Sequence, residues 1–321
     1  MKTLRDAIYQ ITLPTPYAVG DVHLYLLKGE RLTLVDAGVK TDAAWNELII
    51  QLKELGYSPG DIDQIVLTHH HPDHMGLIEH FPNLTTVAAH PKLRPWLERE
   101  ESFFLRYEEF FYRMYKESGV PEQYLGLLKS LRKPLKWSAE GKLTIELVEG
   151  DRIPGHEEWV TIETPGHAQS HISFYRQADG SFIGGDHLLA HISSNPLLEP
   201  PYGMEKDRPR PLLQYRASLG KLLDKNIQMV YPGHGKTFQN TDELVIQRLK
   251  KQEERALKVL NMFEEKRLCA YDVCRHLFPK HIESQFGLTM SETIGQLDYL
   301  ENKKAVVAEF SGEQKYYYVN R

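Results

Sequence analysis

Residues 68–76 read THHHPDHMG, and within that run His69-x-His71-x-Asp73-His74 places four potential metal ligands in a span of six positions. The spacing does not fit a helical ladder, whose ligand pairs recur every three or four residues, and Pro72 is expected to interrupt any helix there. The run follows Ile65-Val66-Leu67, an apolar triplet that reads as a short buried strand. The ligands then belong to a loop leaving the C-terminal end of a strand, where α/β proteins tend to place their chemistry. Three further segments share this character. Residues 161–166 end in Pro165-Gly166 and lead to His167, residues 182–185 end in Gly184-Gly185 and lead to Asp186, and residues 229–233 end in Pro232-Gly233 and lead to His234. Glycine allows the sharp turn that lets one side chain project from each strand end. The candidates number five histidines and two aspartates, more than one tetrahedral zinc can use and suited to two metals sharing a bridge.

The motifs THHHPDH, TPGHAQSH, GGDHLL and YPGHG, in this order, resemble those of the metallo-β-lactamase superfamily. The resemblance covers about residues 5–240, allowing for an inserted helical segment. It implies that His69, His71 and His167 hold a first metal, that Asp73, His74 and His234 hold a second, and that Asp186 bridges both. It also implies that Asp36, in LVDAG, supports the site from behind, because a metal-binding histidine needs an outer partner to fix its tautomer. Read from the residues alone, Asp36 could equally cap the following helix. His70, His171 and His187 lie beside the ligands in sequence and read as local hydrogen-bonding groups, whereas His23, His90, His156 and His276 read as structural or solvated.

The ligand chemistry points to hydrolysis. Two Zn2+ ions per chain would lower the pKa of a shared water toward about 7, and that hydroxide would attack an electrophilic carbonyl or phosphorus. Asp73 or a second water is the candidate to pass a proton to the leaving group, and Asp186 the candidate to fix the two metals. A His-rich N/O set suits zinc, with Mn2+ or Fe2+ able to occupy similar sites. Histidine at position 71 argues against the diiron flavoprotein relatives, whose motif resembles HxExDH.

The elements that must position these groups read as a layered α/β domain. Strands are expected at 22–27 and 32–36 around the turn Lys28-Gly29-Glu30, and at 85–88, 143–148, 159–163, 172–175 and 181–183. Helices are expected at 41–55, ending at Gly56, and around 211–223. With the resemblance, this pattern implies a four-layer αββα sandwich over residues 1–240, carrying a helical insertion at about 91–137. Within the insertion Phe103, Tyr107, Phe110, Phe111 and Tyr115 form an aromatic stripe at helical spacing. The stripe is either a core-facing or homodimer-facing surface or an apolar wall beside the site, and a wall would imply a substrate with a sizeable apolar portion.

Residues 241–321 read as a linking helix at 244–263, short helices at 271–277 and 291–302, and a terminal hairpin at 305–310 and 315–319. These parts resemble the winged-helix-like C-terminal domain of the superfamily's endoribonuclease branch. Against nucleic acid, this stretch holds 13 Lys+Arg and 13 Asp+Glu, without the positive excess that phosphate binding draws on. The whole chain of 321 residues has a formal net charge of -5, so it exerts no general pull on nucleic acid or anionic lipid. No apolar run approaches a membrane span, MKTLRDAIYQ lacks a signal-peptide core, and the two cysteines, Cys269 and Cys274, give no disulfide framework, all of which fits the cytoplasm. The leading expectation is a dinuclear hydrolase of an ester, thioester or lactone. A metal-dependent endoribonuclease acting on single-stranded RNA is the second. The residue three places after Asp186 is Leu189, where the acyl-homoserine lactonase branch has tyrosine.

Overall fold

The structure, a computed structural model, describes residues 8–203, 205–264 and 266–320; the first seven residues of the expected catalytic unit lie outside this set. Six strands form the first sheet in chain order: β1 (Ile8–Leu13), β2 (Val22–Lys28), β3 (Leu32–Val35), β4 (Gln64–Val66), β5 (Thr86–Ala89) and β6 (Ile145–Glu146). The first three are antiparallel, and β3 through β6 pair in parallel. A second sheet joins β7 (Arg152–Ile153), β8 (His156–Glu163), β9 (Ile172–Arg176), β10 (Ser181–Gly185) and β11 (Met229–Pro232) in the order β11-β10-β9-β8-β7.

Period-two alternation explains the layering. Tyr25, Leu27, Val35 and Val66 of the first sheet face Trp159, Phe174 and Ile183 of the second in one buried cluster. Their sequence neighbours Leu24, Leu26, Leu34 and Ile65 point the other way, onto helix α1 (Asp42–Glu54) through its buried Ala44, Leu48 and Leu52. The outer face of the second sheet, with Ile162, Phe182 and Val230, is covered by Tyr215, Leu219 and Leu222, which lie on a later helix, Pro211–Leu223. This is the expected αββα sandwich. Helix α1 ends as its sequence dictates: Thr41 caps the Ala44 N–H, and Gly56, at φ +83°, donates to Lys53 while Tyr57 donates to Leu52.

Pro72 corrects one expectation. It opens a one-turn helix, α2 (Pro72–Met75), at the first position, where proline costs no hydrogen bond, so Asp73 and His74 stand on that turn. The insertion holds α3 (Arg94–Leu97), α4 (Glu101–Glu117) and α5 (Glu122–Leu125), followed by 3-10 turns at Gly126–Ser130 and Lys133–Trp137. After the helix at Pro211–Leu223, α6, come α7 (Thr241–Leu260), β12 (Leu268–Cys269), α8 (Ala270–Leu277), α9 (Phe286–Asn302), β13 (Val306–Ser311) and β14 (Gln314–Val319). The last three strands make a separate sheet in the order β12-β14-β13.

The aromatic stripe of α4 is buried except at half-buried Tyr107, and it is divided. Phe103 and Phe104 pack with Trp96 and Tyr202, whereas Phe110, Phe111 and Tyr115 share a core with Phe263, Phe286, Met290 and Tyr317. One hydrophobic core therefore joins the insertion to the chain after residue 240. Among the described residues no helix is long and apolar enough to cross a membrane.

Candidate metal centre

All seven candidate residues meet at the strand ends on one edge of the sandwich. Their ligand atoms fall into three overlapping groups, each within 4.8 Å: His69, His71 and His167; Asp73, His74 and His234; and His69, His74 and Asp186. Asp186 lies between the first two groups. Its Oδ2 is 3.6 Å from His167 Nε2 and 3.5 Å from His234 Nε2, and its Oδ1 is 3.5 Å from His74 Nε2. His234 Nε2 is also 3.3 Å from Asp73 Oδ2, and His69 Nε2 lies 3.0 Å from His71 Nδ1.

Glycine makes the close approach at one corner compulsory. A Cβ on Gly233 would stand 2.2 Å from Asp186 Oδ1 and 2.9 Å from the His74 ring, so no larger residue fits between β11 and the cluster.

The outer nitrogen of each histidine decides what the inner one can do. His74 Nδ1 donates to Asp36 Oδ2 at 2.8 Å, His234 Nδ1 to the Asp21 carbonyl at 2.7 Å, and His167 Nδ1 to the Asn195 carbonyl at 3.0 Å. Thr68 Oγ1 donates to Asp36 Oδ2 and so accepts from His69 Nδ1, at 2.9 Å each. Four imidazoles thus present Nε2 lone pairs inward. The Nε2 atoms of His74, His167 and His234 and Oδ1 of Asp186 are buried with no hydrogen-bond partner among the described residues. Buried polar atoms are nearly always paired, so a cluster of convergent orphans requires something between them, and this donor set fits a divalent cation. Electrostatics agree. Burial alone would lower the His74 pKa, yet the Asp186, Asp36 and Asp73 carboxylates hold it well above the usual imidazole range. His234, also opposed by burial, is pushed up to about 10 by Asp186 and Asp73. The carboxylates demand cations, whether protons or metals.

Asp36 is no helix cap, a role that Thr41 fills. At φ +65° it takes a left-handed conformation that costs energy in a non-glycine residue, and it receives Thr68 N–H, Thr68 Oγ1 and His74 Nδ1. His171 accepts the Asp186 N–H at 3.1 Å through Nε2, with its Nδ1 on Thr164 Oγ1 at 2.8 Å, and so orients the central carboxylate. His70 bonds Ser170 Oγ and stacks on Trp96 at 4.0 Å, while His187 packs edge-on against Tyr215.

A cavity of about 470 Å³ opens over the cluster, reaching His71, Asp73, His167, Asp186 and His234. Its walls come from Trp96, Tyr107, Leu131, Leu135, Leu189 and Leu198, among others, and no described lining residue is lysine or arginine. Of the stripe, Tyr107 alone lines it. Two lining residues escaped the sequence reading. Tyr17 Oη is buried without a partner among the described residues, and burial, then Asp73, pushes its pKa up to about 12, so it stays a donor. Glu199 is wholly buried, accepting the Gln169 N–H and the Tyr202 hydroxyl. Burial outweighs those bonds and pushes its pKa up to about 7. Neither sits in a motif, and only the fold brings them to the cavity.

Such a sandwich, with histidines and aspartates at its strand ends, defines a class of metallo-hydrolases. Residues 17–234 match the model of the metallo-β-lactamase superfamily, and the chain belongs to that superfamily. It is 40% identical to the probable metallo-hydrolase YqjP of Bacillus subtilis over 98% of each chain. It is 25% identical to the atrochrysone carboxyl ACP thioesterase of Aspergillus fumigatus, over 91% of this chain and 78% of that one. Among solved structures, the metallo-β-lactamase family protein TTHA1429 of Thermus thermophilus superposes with a TM-score of 0.81 at 28% identity, covering 97% of this chain and 98% of that chain.

Proposed function

We propose that the protein hydrolyses a thioester or ester with an apolar acyl portion, using two zinc ions. His69, His71 and His167 would hold one, Asp73, His74 and His234 the other, and Asp186 both. The observation that carries this reading is the apolar cavity set directly over the cluster, since polar groups confined to the floor of an apolar pocket fix one end of a substrate and leave the rest to burial. The similarity to a thioesterase supports the same class.

When bound, the metals would supply Lewis-acid polarisation and an activated water. The chain does the rest. The aliphatic and aromatic walls exclude water and seat the acyl chain, worth about 0.8 kcal/mol per buried methylene. Tyr17 Oη, an unpartnered donor in the cavity, would donate to the reacting carbonyl oxygen. Asp73, a cluster carboxylate that lines the cavity without lying between the two ligand groups, would accept a proton from water and return it to the leaving sulfur or oxygen. Water oxygen bonds to the acyl carbon, the C–S or C–O bond breaks with its electron pair on the leaving atom, and acid and thiol or alcohol result.

The test is a panel of acetyl to dodecanoyl thioesters with zinc-loaded protein. Turnover that improves with chain length is expected. Cleavage of single-stranded RNA without turnover of any thioester or ester would overturn the reading in favour of the endoribonuclease. The lack of lysine and arginine among the described wall residues speaks against that alternative, because phosphodiesters flanking a scissile bond need cations close by.

A further inference from the structure

A second cavity, of about 370 Å³, adjoins the first and shares Ser193, Ser194, Asn195 and Leu288 with it. Its chemistry is opposite. One face of α7 supplies Arg248, Lys251, Gln252 and Arg255, at the three-, four- and seven-residue spacing that aligns side chains along a helix. His281 and Phe278 close the far side, and Glu292, paired with Arg255 at 2.8 Å, is the sole acid among the described lining residues. Among the described residues Lys251 makes no ion pair. Three basic side chains against one acid leave a local positive field inside a stretch whose total charge balances.

Unpartnered polar atoms mark the cavity and its junction with the first. Arg248 is 7% exposed and spends Nη2 on the carbonyls of Leu189, Ala190 and Ile192, while its Nε has no partner. Ser194 Oγ and Asn195 Oδ1, on the seam, are likewise buried and unsatisfied. Groups of this kind are completed by ordered water or by the polar atoms of a ligand. The seam also touches the metal centre, since the Asn195 carbonyl receives His167 Nδ1.

We infer that this basic cavity is the subsite for a phosphate-bearing thiol leaving group, so the substrate is an acyl thioester with its acyl chain in the apolar cavity and a phosphorylated tail along α7. This rests on the thioesterase reading and narrows it. Hydrolysis then places the scissile C–S bond at the junction, releasing the carboxylic acid into one cavity and the phosphorylated thiol into the other.

Two measurements on the zinc-loaded protein test it. In the first, KM is compared for dodecanoyl coenzyme A and for the dodecanoyl thioester of N-acetylcysteamine, which lacks the phosphates. Wild type should favour the former by at least about tenfold, and Lys251→Glu with Arg255→Glu should collapse that ratio toward one. In the second, binding of adenosine 3′,5′-bisphosphate is titrated calorimetrically, and it should weaken about tenfold in the same variant and with added salt. Binding of the bisphosphate without hydrolysis of any thioester would keep the subsite and remove the thioesterase reading. Thioester hydrolysis with equal KM values and no bisphosphate binding would overturn the subsite and leave that reading standing. Tighter binding of a single-stranded RNA oligomer than of the bisphosphate, lost in the variant, would overturn it in favour of a nucleic-acid path.

Discussion

The floor and the walls of the cavity over the metal-ligand cluster are built in opposite ways. The floor residues follow sandwich strands on turns built with glycine or proline, and His69, His74, His167 and His234 are braced from behind by a hydroxyl, Asp36 or a carbonyl. The walls are assembled from α3, α4, the turn before residue 138, the strap 189–198 and Leu288 of α9, segments far apart in the chain. The floor is thus over-determined by local backbone, whereas the walls depend on how the insertion and the C-terminal elements pack on one another. On the proposed function, chemistry belongs to the floor and substrate choice to the walls, and substitutions should separate them.

The largest effect belongs to the floor. Asp186→Ala removes the one carboxylate that reaches both groups of ligands, and should cut kcat by about 1000-fold or more with loss of bound metal. Asp36→Ala acts from behind, through His74 and Thr68, and should cost about 10–100-fold in metal affinity. Steady-state rates and elemental analysis on both variants decide the order, and a greater loss at Asp36 would reverse it.

The walls should respond to substrate length instead. Tyr107→Ala leaves the cluster untouched and should raise KM for a dodecanoyl thioester about tenfold more than for an acetyl one. An equal change for both substrates, with a lower Tm, would make Tyr107 a packing residue only.

A separate effect, on stability rather than on turnover, concerns Glu199, a wall residue whose carboxyl is buried. Burial raises its folded pKa from the ordinary 4.5 to about 7. A raised pKa means that the carboxyl adds stability below about pH 4.5, where it is protonated in both states, and that this advantage is lost as pH rises toward 7. The penalty at pH 8 is on the order of 3 kcal/mol. Glu199→Gln should therefore match wild type most closely near pH 5 and gain Tm relative to it by pH 8. A difference independent of pH would show that the carboxyl is ionised throughout.

The same contrast explains what the chain discloses before folding. His69, His71, Asp73, His74, His167, Asp186 and His234 are visible in the sequence because each stands beside a strand end or glycine turn, and the sandwich around them follows from period-two strands and capped helices. Asp36 is ambiguous in sequence, since an aspartate before a helix can cap it; its left-handed backbone and its bond to His74 settle the matter. Pro72 misleads because proline breaks a helix only in its interior. Helix α9 begins at Phe286 rather than 291, its first turns diluted by Gly287 and Thr289 yet anchored by buried Phe286 and Met290. The balance of 13 against 13 hides the basic face of α7, because a total averages charges that a helix sorts by position. Tyr17 and Glu199 carry no motif at all.

Whether these seven side chains hold one paired metal centre is tested most directly by calorimetric titration of zinc into metal-free protein. Close to two ions should bind per chain in wild type, and fewer in Asp186→Ala; saturation at one ion or fewer in wild type would contradict the pairing.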